Sequence, residues 1–111
     1  MAVTVSVLIP AKTAEAAQTT QYTSTRATTI IDKFTATNYS VAAATISVNL
    51  VTGASVAGND NLIVKEKTLR PGETYTFPEI VGAALAVDGF ISTAASAGSA
   101  INIRASGRLI T

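Results

Sequence analysis

The residues able to do chemistry in this chain are few, and two of the most useful types are missing. There is no histidine and no cysteine. That removes the commonest general base, the commonest metal ligand, the thiolate nucleophile and any disulfide. What remains is seven carboxylates, Glu15, Asp32, Asp60, Glu66, Glu73, Glu79 and Asp88, and eight lysines and arginines. A glycosidase sets two carboxyls about 5 to 9.5 Å apart across a cleft. The seven acids are scattered over turns and strand edges, and none is flanked by the aromatic platform a sugar would need. They read as solvated or ion-paired surface groups, and an enzyme is not expected.

Gly58-Asn59-Asp60-Asn61 superficially resembles a metal loop, but calcium loops of the EF-hand type need alternating oxygen ligands and a glutamate at the twelfth position. Asp60 is the one acid there and Lys65 lies close in sequence, so a plain hairpin loop is expected, with no metal and no cofactor. No phosphate-cradling glycine motif occurs. Lys65-Glu66-Lys67 sits in an alternating stretch, where Lys65 and Lys67 should share one face and Glu66 should join the apolar side. Lysines there would guard a sheet edge against aggregation or meet a partner subunit. Arg104 and Arg108 are either solvated or paired with acids of a neighbouring chain.

These side chains must be carried on strands. Val3, Val5, Val7 and Ile9 alternate with Thr4, Ser6 and Leu8, a period-2 pattern that Pro10 should end. Residues 11–18 suit a short helix or an arm reaching a neighbour. The threonine-rich run 19–29, with Tyr22, favours extended backbone. Residues 28–37 predict a strand with Ile31, Lys33, Thr35 and Thr37 on one side and Ile30, Phe34 and Ala36 on the other. After a turn at Asn38-Tyr39-Ser40, residues 43–51 alternate again, with Ile46, Val48 and Leu50 on one face. A glycine- and asparagine-rich loop leads to a strand over 62–69.

Pro71-Gly72 then marks a turn in which glycine takes the positive φ, followed by a strand over 74–77. Pro78-Glu79 looks like a helix start, with Ile80, Val81, Ala84 and Leu85 at helical spacing before Asp88-Gly89. Two last strands flank Ala97-Gly98-Ser99, and the final one reaches towards Thr111. The expectation is an all-β, antiparallel sandwich or barrel of about seven strands with one short helix.

At 111 residues the chain is one domain, residues 1–111. It is 48% hydrophobic but only 5% aromatic, so its core is thin. Charged residues make up 14%, below the roughly 25% of an average soluble domain, which suits faces that pack on other subunits. A net charge of +1 gives no electrostatic case for nucleic acid. The N-terminus has no basic leader region and the apolar runs fall far short of the ~20 residues that span a bilayer, so a soluble protein without a classical export signal is expected.

The run KFTATNYSVAAATISVNLV, followed by LRPGETYTFPEIVGAALAVDGFISTAASAGSAINIRASGRLI, resembles small structural proteins encoded among tailed-bacteriophage virion genes. The features that carry it are the FTATN and ATISV pair, L-x-P-G-E-x-Y leading into a strand, the PEIVG segment, and the INIRASG ending. The resemblance spans roughly residues 29–111. It implies an immunoglobulin-like β-sandwich without enzymatic activity, assembled into a virion in the host cytoplasm. The role expected is a capsid decoration or cement protein bound to the major capsid protein, with a head-tail junction subunit or a tail ring or fibre-base subunit as the alternative. A host-surface or carbohydrate-binding module ranks lower, since only three tyrosines and no tryptophan are available. A homo-oligomer is expected, a trimer being favoured, without membrane contact. The expected interface residues are Val3, Val5, Tyr22, Lys65, Lys67, Arg104 and Arg108, and residues 1–18 are the candidate arm for subunit contacts.

Overall fold

Alternating apolar and polar residues commit most of this chain to strands with one buried face. The computed structural model describes residues 2–111. Among them are nine strands: β1 (Val3–Thr13), β2 (Thr19–Thr23), β3 (Thr28–Asn38), β4 (Ala44–Val51), β5 (Leu62–Leu69), β6 (Thr74–Tyr75), β7 (Ala84–Leu85), β8 (Phe90–Ala95) and β9 (Ile101–Ile110). They build two antiparallel sheets. One runs β1-β9-β3-β6, with β7 also on β3; the other runs β2-β8-β4-β5. The domain measures 46 × 26 × 19 Å.

The pairings nest. β1 lies on β9, β2 on β8, β3 on β6 and β7, and β4 on β5, as though one long hairpin had been closed and then rolled so that β9 meets β3 and β8 meets β4. β6 pairs at Thr37 and β7 at Thr29, opposite ends of β3, so they act as one strand interrupted by residues 76–83. The result is the eight-strand order of a jelly roll. The expectation of about seven strands in immunoglobulin-like order is corrected on both counts.

Bulges set which side chains reach the core. In β3 the register with β9 slips between Ile31 and Lys33, leaving Asp32 and Lys33 both exposed. Ile31 and Phe34 therefore face inward together, where strict alternation separates them. In β1 the slip after Val7 turns both Leu8 and Ile9 inward, and the strand continues through Pro10 to Thr13. Pro10 is tolerated because it lies in a bulged stretch of an edge strand, where a missing N–H costs little. Residues 11–18 thus form no helix.

The helix expected over 78–87 is also absent. Phe77 and Gly82 adopt φ of +47° and +90°, which confines helical bonding to one turn, with Ile80 and Val81 both donating to the Phe77 carbonyl. The Gly82 N–H then donates to the Ile31 carbonyl and the Ile31 N–H to Ala83, so pairing with the β3 bulge displaces the helix. The one helical piece described is a 3-10 turn, Asn59–Asn61.

Between the sheets Phe34, Phe77, Ile9, Ile31, Ile46, Leu69, Ile91, Ile101 and Ile103 are buried. The Phe77 ring meets Phe34 and Tyr75 edge-on, each at 4.7 Å between centroids, a favoured aromatic geometry. No buried side-chain nitrogen or oxygen among the described residues lacks a hydrogen-bond partner.

Candidate docking surfaces

Four of the seven carboxylates are bonded within the chain. Arg108 on β9 grips Asp32 on β3 with two nitrogens, the closest pair at 2.9 Å. Its guanidinium holds the Asp32 carboxyl below the ordinary range. Glu15 accepts from Gln21 at 2.9 Å and from the Lys12 ammonium at 2.9 Å, and its pKa falls to about 2, chiefly through Gln21. The Tyr75 hydroxyl donates to Glu79 at 2.7 Å, which lowers the carboxyl and raises the phenol. Glu73 accepts from the Arg70 N–H across the Pro71-Gly72 turn at 2.8 Å. These acids are dispersed, and no group of three metal-ligating side chains occurs among the described residues. In the glycine-rich loop the Asn61 amide oxygen accepts from Asn49 at 2.7 Å and from the Gly58 N–H at 3.0 Å, so the loop closes over Asn49 instead of lining an ion site.

On the outer face of β2-β8-β4-β5, an open groove of about 220 Å³ runs past Gln18, Ser47, Asn49, Lys65 and Glu66. Two of its amides bond within the chain: Gln18 donates to Ser92 at 2.8 Å and Asn49 to the Gly58 carbonyl at 2.9 Å. It has no aromatic wall.

The expected interface residues divide. Tyr22 is half-buried and its hydroxyl bonds the buried Thr29 hydroxyl at 2.8 Å, tying β2 to β3. Lys67 is half-buried and lays its ammonium 4.6 Å from the centre of the Tyr75 ring. Arg108 is held by Asp32 within the same chain. Arg104 and Lys65 are exposed. Lys65 and Glu66 together oppose Ser47, a bulge in which Glu66 takes φ of +48° and donates its N–H to the Ser47 hydroxyl at 2.8 Å. Hence Lys65 and Lys67 do not share an environment, and Glu66 faces solvent instead of the apolar side. Val3 and Val5 are exposed along the first half of β1.

One surface escaped the residue-by-residue reading. At the far end of the sandwich, where β3 turns into β4, Tyr39 and Val41 are 54% and 98% exposed. Asn38, fully buried, holds the turn: its amide nitrogen donates to the carbonyls of Ala42 and Leu69, both at 2.9 Å. Its amide oxygen accepts from the Ser40 N–H at 2.9 Å and the Ser40 hydroxyl at 2.7 Å. The Asn38 backbone also binds the Pro71-Gly72 turn through Gly72 and Glu73. Tyr39 is pinned by its N–H to Ala100 at 2.9 Å and by its hydroxyl to Thr13 at 3.3 Å. The signal in the sequence was Asn-Tyr-Ser, an Asx-turn pattern, but nothing local says that the asparagine is buried or that Val41 projects.

No protein-family model matches this chain, and no curated protein or solved structure matches it either.

Proposed function

We propose that this chain is a non-enzymatic structural subunit of a virion, a decoration or cement protein that binds the major capsid protein on an assembled phage head. The observation that carries the reading is the Asn38-clamped tip with Tyr39 and Val41 projecting from it. An apolar side chain 98% exposed on a turn held by four side-chain hydrogen bonds is poorly explained by folding alone. As a docking anchor it makes sense: a preorganised loop loses little conformational entropy on binding, and tyrosine is enriched at energetic centres of interfaces. The low charged fraction, 14%, supports contact with protein and not with nucleic acid. Jelly rolls recur in viral capsid and lectin domains. That analogy is at the level of fold, so the tip, and not the fold, carries the argument.

The test uses purified heads of the phage that encodes the chain, stripped of it. Wild-type protein should co-sediment with heads and raise their resistance to heat. The double substitution Tyr39→Ser, Val41→Asp should weaken binding at least tenfold, about 1.4 kcal/mol, with the melting temperature of the free protein unchanged. Failure of the wild type to bind heads, or equal binding by the variant, would overturn the reading. Copy number then separates the capsid surface from the alternative, a ring at the head-tail junction or in the tail, where only a few copies per particle are accommodated.

A further inference from the structure

The first half of β1 is an edge of unusual chemistry. In an antiparallel ladder, opposed residues alternate between pairs that exchange both backbone hydrogen bonds and pairs that exchange none. Ala2 and Thr111 exchange both, each at 3.0 Å. From there the register is unbroken, Val3 opposite Ile110 through to Val7 opposite Ser106. Thr4 and Ser6 therefore take the bonds to β9, and the N–H and C=O groups of Val3, Val5 and Val7 point to the other side. β1 ends its sheet, so no described strand lies there. The same three valines are 58%, 81% and 50% exposed. Each presents a bare apolar side chain and an unused donor and acceptor together.

The other edges are blunted. β5 carries the Lys65-Glu66 bulge, β6 and β7 are two residues each, and β2 is five residues with its own register slip. Short edges, bulges and lysines are the usual defences against strand addition. β1 has none before its bulge after Val7, and no charged residue before Lys12.

We propose that β1 is a homotypic docking edge, pairing antiparallel with β1 of a second copy about a two-fold axis at Val5. A second copy of the chain fits this edge by register, side chain and charge. Pairing about Val5 sets Val5 against Val5 of the second copy, and Val3 against Val7, in both directions. All three pairs are of the kind that exchanges both backbone bonds, and each brings two β-branched side chains together on one face. The neutral stretch puts no like charges across the axis. The contact is the same patch on both copies, so it closes on itself and uses up the edge instead of propagating. The two sheets fuse into one, β3-β9-β1-β1-β9-β3. This surface is separate from the Tyr39–Val41 tip, and it favours a dimer over the trimer expected from the sequence.

The test takes the full chain through sedimentation equilibrium at concentrations up to roughly 100 µM, since a dimer fills by mass action. Wild type should reach twice the chain mass, and Val5→Lys, which sets two ammonium groups on the axis, should remain monomeric with an unchanged melt. Because the chain has no cysteine, single cysteines report the register. Val5→Cys places two thiols in a pair with Cα atoms about 5.5 Å apart, within disulfide reach, and should cross-link on mild oxidation. Val3→Cys should cross-link only when mixed with Val7→Cys. A monomeric or trimeric wild type overturns the proposal, as does a dimer indifferent to Val5→Lys or cross-linking equal at Val3 and Val5. A monomer whose Val5→Lys variant loses head binding also overturns it, in favour of a strand from another virion protein. Loss of head binding in the tip variant with the dimer intact leaves this proposal standing and bears on the function alone.

Discussion

Strands β1 and β5 both stand at sheet edges, and they treat their outward backbone in opposite ways. β5 bulges at Lys65-Glu66, turns the Glu66 N–H back to Ser47, and folds Lys67 over Tyr75, so its edge is closed by the chain's own groups. β1 keeps five residues in clean alternation, leaves three residues' donors and acceptors free, and shows valine to solvent. The same strand then bulges and buries Leu8 and Ile9. One strand thus leaves its first half open to solvent and gives its second to the core. Charge and bulge guard an edge against strand addition; the regular, apolar first half of β1 lacks both.

The strongest way to break this comparison is at Ile9. Ile9→Ala should cost about 2–5 kcal/mol, the usual range for emptying a core isoleucine site, whereas Val5→Ala on the monomer should stay within about 0.5 kcal/mol. Urea unfolding at low protein concentration measures both, and equal losses would mean that β1 is not half open. A smaller effect tests the β5 defence. The left-handed conformation of Glu66 costs a non-glycine residue roughly 1–2 kcal/mol, and glycine would return about 0.5–1 of that as unfolded-state entropy. Glu66→Gly should therefore raise stability by about 0.5–1 kcal/mol in a thermal melt, while Glu66→Val should lower it.

The smallest effect is at the junction of β1 and β2. The folded Glu15 carboxyl titrates near 2 against an ordinary value of 4.5. The unfolded chain then binds the extra proton between those values, so stability from this group is complete above about pH 4.5 and is lost as pH falls towards 2. Asp32 and Glu79, also lowered, add the same sign. All are solvent-exposed, so salt should shrink the effect. Acid denaturation of Glu15→Gln should show a flatter slope over that interval, and an unchanged slope would remove Glu15 from the account.

How much of this was readable depends on the element. The strands at 3–9, 28–37, 43–51, 62–69 and the final pair were legible because threonine, valine and isoleucine at period 2 carry the signal locally. The Pro71-Gly72 turn was legible for the same reason, and Gly72 does take φ of +79°. Face assignments failed at Ile30–Phe34 and at Lys65–Lys67, where a bulge inserts one residue and every later side chain changes sides. The helix at 78–87 failed because its spacing was helical while its best hydrogen-bond partners lay on Ile31, far away in the chain. The tip at Asn38–Val41 was half legible: the turn at Asn38 could be read, the burial of its amide against Leu69 could not.

By itself the sequence settled the class: an antiparallel β-protein without histidine or cysteine chemistry, low in charge, with a thin aliphatic core. Those properties belong to single residues and to neighbours two apart, so they survive without a fold. The jelly-roll order, the pairing of Arg108 with Asp32, the clamp on Val41 and the outward turn of Val3, Val5 and Val7 were decided only in the tertiary structure. Each depends on which strand lies beside which. That follows from closing one nested hairpin into two sheets around a shared core, a condition that no stretch of sequence can meet alone.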